Sequence, residues 1–165
     1  MRAPPPDGAE SVDVPSTLTS DLVRATRAHG DRVCALGPGA PRWRDVADGA
    51  RALGLGLADH GLGAGDRVAI DPTGLTAAEV LEREVAVLVT GAALALGTAG
   101  TATLGRARLR PHTGGESVTL DELRRRGAAV DAARPDELEV RVRAIAPDAP
   151  ALHTPAGAID QAQAA

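Results

Sequence analysis

The sequence contains no lysine, asparagine, phenylalanine or tyrosine, and one residue each of cysteine, methionine and tryptophan. Each absence removes something. All 18 basic residues are arginine, so no side-chain amine is on hand for a Schiff base, a phosphate clamp or general-base work. A lone Cys34 excludes an internal disulfide and fits a reducing compartment, which places the chain in the cytoplasm. The near absence of aromatics withholds the side chains that bury the most area per residue. The four missing residues have AT-rich codons and the abundant Ala, Gly, Arg and Pro have GC-rich ones, so genomic base composition is the simplest cause.

Long apolar runs are also missing. "VAVLVTGAALALG" is too short to span a bilayer and is broken by Gly91. "MRAPPPDGAESVDVP" has no apolar stretch of the secretory kind. The net charge is −4 and the arginines are scattered, so neither nucleic acid nor a membrane is expected as partner. The one basic cluster, Arg124-Arg125-Arg126, is offset by Asp131, Asp136 and Glu137 and reads as a solvated helix face.

What is present is mostly small. Of 165 residues 34 are alanine, while Leu, Val and Ile together number 35. At roughly 25 cal/mol per Å² of buried apolar surface this makes a thin core, of marginal stability unless a partner or a further domain adds to it. The length suits one domain.

Along the chain, residues 1–15 are Pro-rich and polar and read as a disordered leader. "STLTSDLVRATRAHGDR" opens with capping residues Thr19 and Ser20 and closes at Gly30, a helix with Leu22, Val23 and Ala28 at helical spacing. "RVCAL", Arg32 to Leu36, is β-leaning, which buries Cys34 as an inert thiol, and "GPGAP" is turn chemistry. A second helix starts at Trp43, with Val46, Ala50, Leu53 and Leu57 on one stripe; Gly54 and Gly56 allow close packing against a sheet. "RVAID" is a strand, Thr76 to Thr90 a helix, and "AALAL" another strand. This alternation predicts an α/β fold with parallel strands and crossover helices.

The pattern then lapses. Residues 98–116 form a Gly/Thr-rich stretch without a period and read as an irregular connection. Residues 117–154 hold two short helices and a strand, "PALHT", and residues 155–165 form a tail.

Single-residue chemistry is sparse. "GLGAGD" follows a helix and precedes a strand, the reverse of a dinucleotide loop, so it is a tight turn. His29, His60, His112 and His153 share no metal-ligand spacing with each other or with Cys34; His29 and His60 suit helix ends. The acidic pairs Asp121-Glu122 and Asp136-Glu137 fall at helix starts.

The order of segments says more. "LTSDLVRATRAHGDRVCAL", "WRDVADGARALGLGLADHGLGAGDRVAI" and "LEREVAVLVTGAALAL" together resemble the N-terminal region of AMP-forming acyl-CoA synthetases, the adenylate-forming superfamily. The "WRDV" opening is most similar to long-chain fatty-acid members. The resemblance runs over about Leu18 to Leu96 and again from Ser117 to Thr154, where "IAPDAPALHT" resembles the family's "x-x-D-D-x-A-x-L-x-Y-T". It implies a partial three-layer α/β subdomain, residues 16–97 supplying the N-terminal α/β units, with a short mostly parallel sheet.

It also implies where chemistry should be. In the family a loop "S-G-T-T-G-x-P-K-G" follows that threonine and cradles ATP phosphates. Here "PAGAIDQAQAA" follows Thr154, with no lysine and no further hydroxyl, and the family's acyl-binding region and C-terminal domain lie beyond the sequence. Thr154 alone carries over as a nucleotide contact. ATP, magnesium and CoA are not expected to bind, and no residue is assigned a catalytic role. The expected function is that of a truncated, inactive homologue serving as an interaction module. The alternative is a subunit of a split ligase whose phosphate loop and lysines come from another polypeptide. A second protein or a second copy completing the fold is the expected partner.

Overall fold

A computed structural model describes residues 17–34, 40–96, 101–111 and 116–164. The leader, most of "GPGAP", residues 97–100 and 112–115 with His112, and Ala165 lie outside the described residues.

Helix α1 is Leu18–Ala28. Its cap is Thr17, two residues before the expected one: Thr17 Oγ1 accepts from the Ser20 N–H at 3.1 Å and Ser20 Oγ accepts from the Thr17 N–H at 3.0 Å. Thr19, expected as a cap, is buried inside the helix, where its N–H and Oγ1 donate to Gln161 Oε1 at 3.2 and 3.1 Å. After α1, Val33 forms a single bridge to Arg42 rather than a strand. Val33 is 56% exposed and Cys34 half-buried, so the described part of the expected buried strand, residues 32–34, holds a bridge outside the main sheet, and Ala35 and Leu36 lie outside the described residues.

Helix α2, Trp43–Asp59, begins where its periodicity places it, and Val46, Ala50, Leu53 and Leu57 are all buried. Strand β1 (Arg67–Ile70) leads to α3 (Ala77–Leu88), capped by the reciprocal pair Thr76 and Glu79, and then to β2 (Ala93–Ala95). Two strands then occupy the stretch expected to be irregular: β3, Ala102–Leu104, and β4, Arg108–Arg110. Their inward residues Leu104 and Leu109 face each other in an antiparallel pair and are buried, while the arginines flanking Leu109 are exposed. One apolar residue per short strand anchors each in the core but makes too short a run to show a period.

Strand β5 (Val118–Thr119) precedes α4 (Leu120–Ala133), whose cap is Thr119, accepting from the Glu122 N–H at 3.2 Å. Helix α5 (Glu137–Ala144) and strand β6 (Pro150–Thr154) follow. The segment expected as a tail instead turns back as β7, Gly157–Asp160, antiparallel to β6, and ends in α6, Gln161–Ala164. Gly157, at φ +142°, supplies backbone freedom where β7 leaves the turn.

The sheet order is β5-β4-β3-β1-β2-β6-β7. Its central four strands are mutually parallel and its outer pairs antiparallel. Helix α3 lies on β1 and β2, and α2 packs across α3 and α4. Gly54 and Gly56 permit close approach, but of helices rather than a sheet. A Cβ at Gly54 would strike Val89, the residue just after α3, and one at Gly56 would strike the Leu123 carbonyl of α4. Gly127 answers from α4, against the Ala52 carbonyl.

The core joins α2, α3, α4 and α5 to β1, β3 and β4 through Leu and Val. Among the described residues, seven of the 22 buried hydrophobic ones are alanine and none is aromatic, in keeping with the thin core that composition implies. Arg51 ties helices together over this core: its Nε donates to Asp131 of α4 at 2.8 Å and its Nη1 to Glu139 of α5 at 3.2 Å, while Arg27 of α1 also pairs with Glu139. Among the described residues no helix is long and apolar enough to cross a membrane.

Candidate functional site

In open α/β sheets, ligands sit outside the carboxyl ends of parallel strands, above all where neighbouring connections diverge. Here β1 leads through α3 to β2 on one side and β3 leads to β4 on the other, so the divergence falls between β1 and β3. The four parallel strands deliver Asp71, Leu96, Gly105 and Thr154 to this edge.

Asp71 follows β1. Its Oδ1 accepts from the Thr73 N–H at 3.1 Å. The Thr73 side chain and backbone, helped by Arg110, hold the Asp71 carboxyl below the usual range. The next turn passes through Gly74 at φ +71°, and the Arg106 guanidinium, from the β3–β4 turn, lies beside it.

Arg83 is the buried charge of this region, 2% exposed on α3. Its Nη1 donates to the Glu79 carbonyl at 2.6 Å and its Nη2 to the Arg106 carbonyl at 3.4 Å, so it pins the β3–β4 turn to α3; its Nε has no protein partner. Burial pushes the guanidinium down from its ordinary value, against Glu82 and Glu79, which raise it. Sequence reasoning passed over Arg83. Its only signal is an arginine within a largely apolar helix.

Thr154 stands at the end of β6, two strands from β1. The Leu96 N–H donates to the His153 carbonyl at 2.9 Å, which sets Leu96 next to it; Leu96 is 62% exposed. Thr154 pairs with Gly157 across a two-residue turn of Pro155 and Ala156. Its Oγ1 donates to the Gly157 carbonyl at 3.0 Å and accepts from the Ala156 N–H at 3.1 Å. Asp160, at the far end of β7, accepts from the Gln163 N–H at 2.7 Å and so caps α6.

The histidines are dispersed. His29 and His60 follow the ends of α1 and α2, and His153 lies within β6. Among the described residues no three His, Cys, Asp or Glu side chains are grouped to hold a metal ion.

No family model matches the sequence, and no curated protein does. Solved structures do match. An artificially fused adenylation–PCP di-domain NRPS protein, NpsA-ThdA from Klebsiella oxytoca, aligns over 83% of this chain at 17% identity with a TM-score of 0.54. This chain has the fold of part of an adenylation protein. It spans 28% of the length of that relative. The N-terminal subdomain of K. oxytoca NpsA in complex with 3-hydroxybenzoyl-AMSN is also similar, at 17% identity over 88% of this chain and 39% of that one, with a TM-score of 0.45. At such identity the likeness to the adenylation protein is one of fold. The α/β architecture with its mostly parallel sheet stands as the sequence implies.

Proposed function

We propose that this chain is a non-catalytic module with an adenylation-type fold, a degenerate relative of AMP-forming acyl-CoA synthetases that acts through contacts with other proteins. The observation that carries the reading is the β6–β7 turn. A phosphate cradle needs free backbone N–H groups, free hydroxyls and a cation converging on one point. Here the Thr154 hydroxyl is engaged in both directions, the Ala156 N–H is spent on it, and Pro155 has no N–H to give. ATP, with its magnesium, therefore does not fit this turn. The "WRDV" opening of α2 supports a long-chain acyl type of ancestor, and the single cysteine supports residence in the cytoplasm.

The alternative, a subunit of a split ligase, draws on the sheet edges. Beyond β7 no strand follows among the described residues, so that edge has backbone groups to offer a second polypeptide.

ATP–pyrophosphate exchange by the purified chain, with magnesium and a panel of fatty and aryl acids, tests the reading. The expected result is no exchange above the no-acid blank and no heat of ATP binding at millimolar nucleotide. Acid-dependent exchange by the chain alone would overturn it. Exchange appearing only when a second polypeptide is added would select the split-ligase reading.

A further inference from the structure

The proposed function leaves open which surface makes the contacts; the inference that follows rests on that reading and names one. Two adjoining depressions run along α1. The first, of about 250 Å³, lies between α1 and α5; Val23, Leu138 and Val142 line it, with Arg24, Arg27 and Arg143 among its polar lining. The second, of about 470 Å³, continues past the end of α1 toward the start of α2 and includes Arg32 and Arg44. Arg27 lines both, so the two depressions meet at that residue, and together they are called the trough.

The charge of the trough is opposite to that of the chain. Five arginines line it against three carboxylates, Asp31, Asp48 and Glu139, a balance of +2 on a protein of net −4. Part of both charges is already committed within the lining, where Glu139 pairs with Arg27 and Asp31 with Arg44, and Arg51 and Arg42 from outside it add a second arginine to each acid. Arg143 and Arg32 are exposed, and among the described residues neither has an acidic partner. Arg24, with its side chain 74% exposed, binds Asp21 through one nitrogen and keeps further donors.

We infer that this trough is the docking surface of the module and that its partner is an acidic, amphipathic polypeptide segment. Spaced guanidiniums over a partly apolar floor match carboxylates alternating with aliphatic side chains, and Arg pairs carboxylates with two parallel hydrogen bonds. A nucleic acid fits less well, because His29 alone among the lining residues carries an aromatic ring and successive bases would find no further side chain to stack on.

The test uses the full chain and a fluorescently labelled 15-residue peptide of leucine and glutamate at helical spacing, read by anisotropy. The comparison peptide has lysine in place of every glutamate. The acidic peptide is expected to bind and the lysine peptide not. The double substitution Arg24→Glu with Arg143→Glu should weaken binding at least tenfold, and the neutral pair Arg24→Gln with Arg143→Gln by a smaller factor, with unchanged circular dichroism. Raising salt from 50 to 500 mM should weaken binding to the native chain more than to the variants. Equal binding of the two peptides, or binding indifferent to both variants, overturns the inference. Tighter binding to a chain lacking residues 1–16 overturns it too, since the chain's own Asp7, Glu10 and Asp13 would then be the occupant. Loss of binding on raising the protein concentration, with a matching rise in mass, would assign the trough to a second copy instead. Pyrophosphate exchange alongside intact peptide binding would sink the non-catalytic reading and leave the trough standing.

Discussion

Glu84 is a carboxylate in an unfavourable setting. It lies half-buried on α3, and burial alone raises its carboxyl above the ordinary glutamate value. In the unfolded chain the proton leaves near pH ~4.3, while the folded chain holds it to higher pH. The folded state thus binds more protons over that interval, and stability falls as pH rises through it. Glu84→Gln should therefore raise the urea midpoint at pH 7, and the difference should vanish below pH ~4. Glu139 has the opposite sign. Burial opposes its ionisation, but its own backbone N–H and Arg51, with the charges of Arg51 and Arg27, hold the carboxyl below its usual value. Its contribution is present above the unfolded value and lost as pH falls through the folded one, so Glu139→Gln should lower the midpoint at pH 7 and converge with the parent in acid. Urea titrations of both variants across pH check the pair.

At the scale of elements, the contact that decides packing is α2 against α4. Helix backbones approach this closely only where side chains are missing. Gly56 and Gly127 face each other's helices with carbonyl oxygens in the space a Cβ would take, and a backbone carbonyl cannot swing aside as a side chain can. Gly56→Ala should cost about 3 kcal/mol or more by overpacking. Gly63→Ala, where the nearest atom to a new Cβ is 3.9 Å away, should stay within about 0.5 kcal/mol. Denaturant unfolding of the two separates a packing glycine from a tolerant one.

Elements also show what a sequence can convey. The stripe of α2 was legible because it is local, Val46, Ala50, Leu53 and Leu57 recurring at helical spacing, whereas the cap of α1 was expected at Thr19 and Ser20 and lies at Thr17. Strands β3 and β4 were not, because each is three residues long and carries its meaning in one leucine, opposite another that only the fold supplies. The partner of Gly56 was misread for the same reason: a glycine announces close approach without naming what approaches. The position of Thr154 at a strand end was legible from "PALHT", but the capture of its hydroxyl was not, since that depends on β7 folding back. Arg83 went unseen because its acceptors are main-chain carbonyls, which every residue has.

At the scale of the whole molecule, the first and last described helices meet through one side chain. Gln161, fully buried, accepts two hydrogen bonds from Thr19 while its own N–H donates to the Ala149 carbonyl at 2.9 Å. Removing the acceptor strands a buried N–H and a buried hydroxyl, so Gln161→Ala should cost about 2–3 kcal/mol. Gln163→Ala, exposed on the same helix, should leave stability within about 0.5 kcal/mol. Thermal unfolding of the two variants beside the parent checks both values.

The same pairing sets an order of events on the ribosome. Thr19 leaves the exit tunnel with its group early, and the oxygen it needs follows 142 residues later. Until that amide is translated, the inner side of α1 has no seat in which both its donors are satisfied, whatever the sheet and the other helices have done. Helix α1, the first of the described helices, is therefore locked only once α6 has been made.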